Sequence, residues 1–256
     1  MNFFDAVVLG IIEGFTEFLP ISSTAHLILT SKIISLSQND FLKSFEIAIQ
    51  LGAISSVISL YGKKFLTDCQ LNKKIVAAFL PTIFFGFIFY KIIKNYLFES
   101  ISLILASLFL GGIFLIVFEM FYREKPNAEN NISRLSYKKA FLIGCFQSMA
   151  MVPGISRSAA TIIGGLLTGL KREAIVEFSF LLAVPTMLAA TGFDLLHNAA
   201  SFSLKQLHLL FLGMVASFIV ARIAISFFLK FIKTHNFTYF GVYRVLIAFL
   251  FWLIFF

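Results

Sequence analysis

Two glutamates near the start of the chain have the spacing of side chains that could act together. Glu13 and Glu17 are four residues apart, so they project from one face of a helix, and the stretch around them is otherwise apolar. Ionised groups within an apolar segment are costly and mark functional sites. Two neighbouring carboxylates either share a proton or hold a divalent cation through their oxygens. A structural alternative is that they pair with Arg222 or Arg244, which also lie in apolar segments.

A run of hydroxyl side chains and a histidine follows these glutamates. Ser22, Ser23, Thr24 and His26 come directly after Pro20 and its neighbour. One interpretation is a helix start, at which Ser22 or Thr24 caps free backbone N–H groups. Ser23 and His26 are three residues apart, which predicts that the imidazole can take a proton from the hydroxyl. With two glutamates so close in the chain, we favour chemistry at this segment.

A second polar interruption lies in another apolar segment, at residues 153–158, and reads Pro-Gly-Ile-Ser-Arg-Ser. Gly154 permits close approach of the backbone, and the helix start after it offers N–H donors to an anion. Arg157 adds a planar fork of donors that suits phosphate oxygens. The structural alternative is that Arg157 caps carbonyls or pairs with a glutamate. Together the two interruptions suit a cation-assisted reaction on a phosphate ester or anhydride inside a membrane.

The composition indicates a membrane protein. Of 256 residues, 59% are hydrophobic and 13% are charged, and the mean hydropathy is +0.92. Soluble domains have about 45–50% apolar and about 25% charged residues, so a soluble enzyme and a disordered chain are both excluded. In a membrane protein, the positions of Lys and Arg along the chain set its orientation, so the net charge of +8 does not by itself indicate a nucleic-acid partner. No nucleic-acid partner is therefore expected.

Six apolar segments are long enough, or nearly so, to cross a hydrocarbon core of about 30 Å. They are Phe41–Tyr61, Ile75–Lys94, Ile101–Tyr122, Ile175–Leu196, Leu207–Leu229 and Phe240–Phe256. Lysines and arginines concentrate in the connections at 62–74, 123–139 and 230–233. By the positive-inside rule these three connections are cytoplasmic, and those near 95–100 and 198–205 are outside.

The two interrupted segments, 3–36 and 140–170, are predicted to be re-entrant hairpins that enter from opposite faces. Pro20 and Ser23 recur 133 positions later as Pro153 and Ser156. We therefore expect an all-α polytopic membrane protein with two inverted repeats, each a re-entrant helix hairpin plus three transmembrane helices. A single membrane domain then covers residues 1–256. Its parts are repeat 1 at about 1–122, a cytoplasmic linker at about 123–137 and repeat 2 at about 138–256.

The motifs at residues 13–27 and 153–158 resemble the two signature motifs of the undecaprenyl-diphosphate phosphatases, also called bacitracin-resistance proteins. The resemblance extends through residues 45–53 and 177–185. It implies hydrolysis of undecaprenyl diphosphate to the monophosphate and inorganic phosphate, which recycles the lipid carrier of cell-wall synthesis. It also implies the bacterial inner membrane, a site on its outer side, and a divalent cation, Mg²⁺ or Ca²⁺. One position departs from the family pattern, since Ala159 stands where glycine is common.

The resemblance also implies roles for individual residues. Glu13 and Glu17 would bind the cation or handle protons, and Ser23 would be the nucleophile. His26 would be the base for Ser23 or a phosphate contact, and Arg157 would clamp the diphosphate. Whether Ser23 attacks phosphorus or orients a water is left open. Substrate contacts are also expected from six further residues: Ser22, Thr24, Gln147, Gly154, Ser156 and Ser158.

Other functions use similar features. Inverted repeats with broken helices also occur in transporters, so a lipid-phosphate or ion-coupled transporter is the main alternative. A phosphatase of the phosphatidic-acid type is disfavoured, because the Lys-rich opening motif of that family is missing from the sequence. The expected partners are the polyprenyl diphosphate and membrane lipid, and a homodimer is left open.

Overall fold

The chain is α-helical, as its composition predicts. The computed structural model describes residues 1–37, 39–92, 100–198 and 202–256. Its α-helices within these ranges are α1 (Phe3–Thr16), α2 (Ser23–Ile33), α3 (Asp40–Ala48), α4 (Gln50–Thr67), α5 (Cys69–Ile92), α6 (Ile101–Phe121), α7 (Tyr137–Ser148), α8 (Arg157–Leu167), α9 (Arg172–Asn198), α10 (Leu204–Phe231) and α11 (Thr238–Phe255). The all-α class is therefore confirmed.

Six stretches of the described chain are long and apolar enough to cross a membrane. They are Asp40–Thr67, which combines α3 and α4, then Cys69–Phe89, Ile101–Phe121, Arg172–Leu196, Leu204–Phe231 and Thr238–Phe255. All six predicted spans are found. The two connections expected outside fall largely on residues 93–99 and 199–201, which lie beyond the described ranges.

Two predicted boundaries were wrong by about six residues. The first span continues to Thr67 instead of Tyr61, and the second begins at Cys69 instead of Ile75. Both errors arise where polar residues extend a helix beyond its apolar part, which a reading of hydropathy does not detect. The turn between these spans is fixed by Asp68, which accepts a hydrogen bond from the Leu71 N–H at 2.9 Å.

The first hairpin, α1 and α2, has both of its ends at one face of the molecule. Met1 and Leu36 line a single cavity there, together with Ser203 and Gln206 from the start of α10. A capping box begins α1: the Asp5 N–H donates to the Asn2 side chain, and the Asn2 N–H donates to Asp5. The hairpin therefore enters and leaves from the same end, as predicted.

The second hairpin, α7 and α8, has its ends at the opposite face, called here the basic end because it carries Lys63, Lys64, Lys73 and Lys74. The Tyr137 hydroxyl at the start of α7 donates to Gln70 at 3.3 Å. After α8, the Lys171 N–H donates to the Glu129 carbonyl at 3.0 Å. The two hairpins thus enter from opposite ends, and their loops meet between them.

The predicted linker at 123–137 is tied closely to the basic end. The Ser133 hydroxyl donates to the Asp68 carboxylate, and with the Leu71 N–H it holds the pKa of that carboxyl below its usual range. Buried Glu119 binds Arg172 through two hydrogen bonds and accepts a third from the Phe237 N–H at 3.2 Å. These contacts join the ends of α6, α9 and α11.

Each hairpin packs against the middle span of the other half of the chain. Helix α1 lies along α10, and α7 lies along α5, while α4 packs on α9 and α6 packs on α11. The contact of α1 with α10 is close, since a Cβ at Gly14 would lie 2.5 Å from the Ser217 carbonyl oxygen. The packing is therefore reciprocal, and it fixes the helix that carries Glu13 and Glu17.

Candidate active site

Ser23, Glu17 and Arg157 form the centre of the site, where the two hairpin loops meet. The Ser23 hydroxyl donates to Oε2 of Glu17 at 2.5 Å. The other Glu17 oxygen, Oε1, accepts from Nη2 of Arg157 at 2.8 Å. Ser23 and Glu17 come from the first hairpin, and Arg157 begins α8 of the second. The carboxylate is therefore placed to take a proton from the serine hydroxyl, and its other oxygen is paired with the guanidinium.

Arg157 contacts four residues: Glu17, Ser179, Phe18 and Met187. Its Nη1 donates to the Ser179 carbonyl at 2.9 Å, and its guanidinium lies 5.9 Å from the centre of the Phe18 ring. The contact with Glu17 is the structural alternative named from the sequence. Nε of Arg157 is buried and donates to no residue in the described chain. This unused donor gives the guanidinium capacity for an anion.

Glu13 is the second carboxylate of the site and lies beside Glu17. It is fully buried, and neither carboxylate oxygen accepts a hydrogen bond from any part of the chain that the structure describes. The charges that act on it belong to Glu17, Arg157 and Glu46. A buried carboxylate without partners is costly, so this one requires a cation or a proton. No set of three His, Cys, Asp or Glu side chains with the geometry of a metal site occurs among the described residues.

His26 does not contact Ser23 in the way that the spacing predicted. Its Nδ1 lies 2.8 Å from the Ser22 carbonyl oxygen, and its Nε2 lies 2.9 Å from the Tyr243 hydroxyl. Both ring nitrogens are thus occupied. The expectation that His26 is the base for Ser23 is not met by this geometry, since Glu17 holds the hydroxyl. Tyr243 was missed, because no motif links α11 to the first hairpin in sequence.

Neither Arg222 nor Arg244, named from the sequence as alternative partners of the glutamates, makes a hydrogen bond to Glu13 or Glu17 in the described chain. Arg222 is exposed, and its Nη1 donates to the Ser59 hydroxyl at 2.7 Å. Arg244 is 1% exposed and donates to the backbone carbonyls of four residues: Pro20 (3.4 Å), Ser107 (3.3 Å), Leu108 (3.3 Å) and Gly154 (2.9 Å). Arg157 instead pairs with Glu17. Arg244 joins both hairpin loops to α6.

Two of the remaining predicted residues hold the second loop in place. The Ser158 hydroxyl donates to the Phe18 carbonyl at 2.8 Å, which fastens the tip of one hairpin to the other. The Ser156 hydroxyl accepts from the Ala159 N–H at 3.2 Å and caps α8. Both contacts are structural in this state, and direct contact with substrate stays a prediction.

The other predicted residues lie around the loops. Ser22 precedes α2 with φ of +71°, and its side chain makes no capping hydrogen bond, so the capping interpretation was wrong for this residue. Thr24 is partly buried in the first turn of α2. Gln147 is buried in α7, where its amide donates to the hydroxyls of Thr82 at 2.9 Å and Thr186 at 3.1 Å. These bonds tie α7 to α5 and α9.

Gly154 requires glycine, which yields a testable prediction. Its φ is +95°, and a Cβ there would lie 2.6 Å from the Ile104 carbonyl oxygen. We expect Gly154→Ala to destabilise the fold by about 1–3 kcal/mol from backbone strain alone, with added loss from the clash. Unfolding in mixed detergent micelles measures this, and Gly62→Ala is the matched control, since nothing lies within 4 Å of a Cβ there. Equal stability of both variants would contradict the prediction.

Comparisons with known proteins find similar sequences that cover nearly the whole chain. The family model described as bacitracin resistance protein BacA matches residues 6–250. A protein named undecaprenyl-diphosphatase from Aquifex aeolicus (strain VF5) is 50% identical over 248 residues, which are 97% of this chain and 96% of that protein. One of the same name from Sulfurihydrogenibium sp. (strain YO3AOP1) is 51% identical over 253 residues, 99% of each. Another, from Methanococcus aeolicus, is 42% identical over 246 residues, 96% of each.

Proposed function

Because the chain belongs to the bacitracin resistance protein BacA family, we propose that it hydrolyses undecaprenyl diphosphate to undecaprenyl phosphate and inorganic phosphate. The observation that carries the proposal is the serine hydroxyl bonded to a carboxylate that is paired with an arginine. This set can form and break a bond to phosphorus. The reaction recycles the lipid carrier for cell-wall synthesis, and this recycling is the basis of resistance to bacitracin.

In the first step Ser23 attacks the terminal phosphorus. As its oxygen bonds to phosphorus, its proton passes to Oε2 of Glu17, which already accepts that hydrogen bond. The bond from phosphorus to the bridging oxygen breaks, and undecaprenyl phosphate leaves. Arg157 meets the negative charge of the transferred group through its donors, including the unused Nε.

In the second step a water attacks the phosphoserine. The water oxygen bonds to phosphorus and both of its protons remain on the departing H₂PO₄⁻, while Glu17 returns its proton to the Ser23 oxygen. Serine and carboxylate are thereby restored. A Ser23 that only orients the water is the alternative, and it would leave no phosphoserine in the protein.

We also propose a divalent cation, Mg²⁺ or Ca²⁺, held by Glu13 and Glu17. The two buried, unpartnered oxygens of Glu13 support this, because carboxylate oxygens are the ligands that such cations prefer. The bound cation supplies charge neutralisation at phosphate oxygens. Two carboxylates are a common protein contribution to Mg²⁺ sites, in which waters and substrate phosphate complete the shell.

The orientation and symmetry of the protein are further parts of the proposal. The lysines of the basic end support a cytoplasmic position for that end. The hairpin with Glu17 and Ser23 enters from the other end, which supports a site facing the outer side of the bacterial inner membrane. The reciprocal packing of hairpins on middle spans supports two inverted repeats. A homodimer stays a prediction.

This function is tested by measuring the release of phosphate from undecaprenyl diphosphate by the purified protein in detergent. We expect release by the wild type and its loss on adding a chelator. Glu13→Gln should lower kcat/KM by about 10- to 100-fold, by analogy with losses at metal-site residues. The matched control is Glu177→Gln, because Glu177 is partly exposed and pairs with Lys64 at the basic end.

Two results would contradict the proposal. Folded wild-type protein that releases no phosphate overturns the hydrolase. Release that survives exhaustive chelation, with Glu13→Gln as active as Glu177→Gln, overturns the role of the cation and leaves the hydrolase standing.

A further inference from the structure

Tyr243 on α11 fixes the state of the His26 imidazole, three residues after the proposed nucleophile. The Ser22 carbonyl can only accept a hydrogen bond, so Nδ1 of His26, 2.8 Å away, carries the proton. Nε2 of the neutral ring is then an acceptor, and the Tyr243 hydroxyl donates to it at 2.9 Å. The two rings are nearly parallel, with an angle of 5° and centroids 5.6 Å apart. One tautomer and one ring orientation are therefore selected.

The position of Tyr243 is itself fixed by the next residue in the chain. Arg244 donates to the carbonyl of Pro20 in the first loop and to that of Gly154 in the second. Helix α11 also packs along α6, which receives two more hydrogen bonds from Arg244. The tyrosine is thus carried by a helix that is fastened to both loops, and its distance from α2 is set by those contacts.

Burial distinguishes the two members of this pair. His26 is 8% exposed, whereas Tyr243 is 36% exposed. The tyrosine meets the edge of the imidazole through its hydroxyl, which occupies Nε2. Without the hydroxyl, the ring keeps only its bond to Ser22 and is free to rotate about that contact.

We propose that Tyr243 is a positioning residue of the reaction, which acts through His26: it keeps the imidazole in the tautomer and orientation whose Nδ1–H holds the carbonyl of Ser22, the residue directly before Ser23. The inference rests on the proposed hydrolysis. Tyr243 makes no contact with the reacting phosphorus in this role. Its effect is on how well the site is organised for the chemical step, so it falls on kcat and leaves KM nearly unchanged.

The test compares Tyr243→Phe with Tyr239→Phe. Both changes remove one hydroxyl from α11, and Tyr239 lies one turn earlier, beside His235 and Phe231 at the basic end. We expect Tyr243→Phe to lower kcat by about 3- to 10-fold, the range of one net hydrogen bond, with KM and thermal stability close to wild type. Tyr239→Phe should leave all three unchanged.

A second measurement separates positioning from a merely structural role. The chain has four histidines, so ¹⁵N spectra of histidine-labelled protein are simple, and His26→Gln identifies the His26 signals. We expect the Nε2 signal of His26 to move in Tyr243→Phe and to stay in place in Tyr239→Phe.

The outcomes distinguish this inference from the proposed function. Wild-type protein that releases no phosphate overturns the function, and the inference with it. An active Tyr243→Phe variant with unchanged kcat and unchanged Nε2 signal overturns the inference alone. A raised KM with unchanged kcat also overturns it, because Tyr243 would then contact the substrate.

Discussion

Ser23→Ala and Glu17→Gln are each expected to lower kcat for phosphate release by about 10³-fold, within the range for loss of a nucleophile or its base. The Ser23 hydroxyl and Oε2 of Glu17 share one short hydrogen bond and act as a unit. The double variant should therefore be at most a few-fold slower than the slower single variant, because removal of one partner already disables the pair. Single-turnover phosphate release in detergent measures all three.

The matched control for this experiment is Ser55→Ala. The Ser55 hydroxyl donates at 2.7 Å to the Leu51 carbonyl of its own helix and takes no part in the site. Fully multiplicative losses in the double variant would contradict the shared role of Ser23 and Glu17. Retention of phosphate release by Ser23→Ala would exclude a serine nucleophile. A folded protein with no release in any variant, wild type included, would make the transporter the working hypothesis.

Arg244→Gln is expected to lower the free energy of unfolding by about 3 kcal/mol or more, because several buried carbonyls would lose their donor and each costs about 1–3 kcal/mol. Phosphate release should fall with it, since the Pro20 and Gly154 carbonyls anchor the two loops. Unfolding by sodium dodecyl sulfate in mixed micelles measures the stability.

Arg222→Gln is the matched control for Arg244. Its guanidinium is exposed and makes a hydrogen bond to the Ser59 hydroxyl, so we expect a change of less than about 0.5 kcal/mol. Equal changes in the free energy of unfolding for the two substitutions would show that the burial of Arg244 against both loops does not stabilise the fold. Loss of activity at full stability would assign Arg244 a direct contact with phosphate instead.

The spans and hairpins could be predicted because they depend on local composition. Apolar length indicates a span, and the placement of lysines indicates which way each hairpin enters. Helix ends were less accurate: residues 62–67 and 69–74 continue helices although they include Lys63, Lys64, Lys73 and Lys74. Hydropathy measures only the apolar part of a helix, so the polar turns at Thr67 and Cys69 were missed.

Four of the residues singled out in the sequence lie together in the structure, but their pairing differs from the one expected. Glu13, Glu17, Ser23 and Arg157 come together because their motifs lie at the loops of two hairpins that meet. The pairing of Ser23 with His26 was inferred from their spacing on α2, but the Ser23 hydroxyl donates to Glu17 and the two imidazole nitrogens contact Ser22 and Tyr243 instead. Tyr243 is 217 positions from His26, a contact that local spacing does not contain.

The fastening of the two loop tips constrains how the molecule can move. Ser158 binds the Phe18 carbonyl, Glu17 binds Arg157, and Arg244 binds a carbonyl in each loop. A rocking motion that exposed the centre to the two faces in turn would have to break all of these contacts at once. The fold therefore favours a centre that stays in one place relative to the two faces.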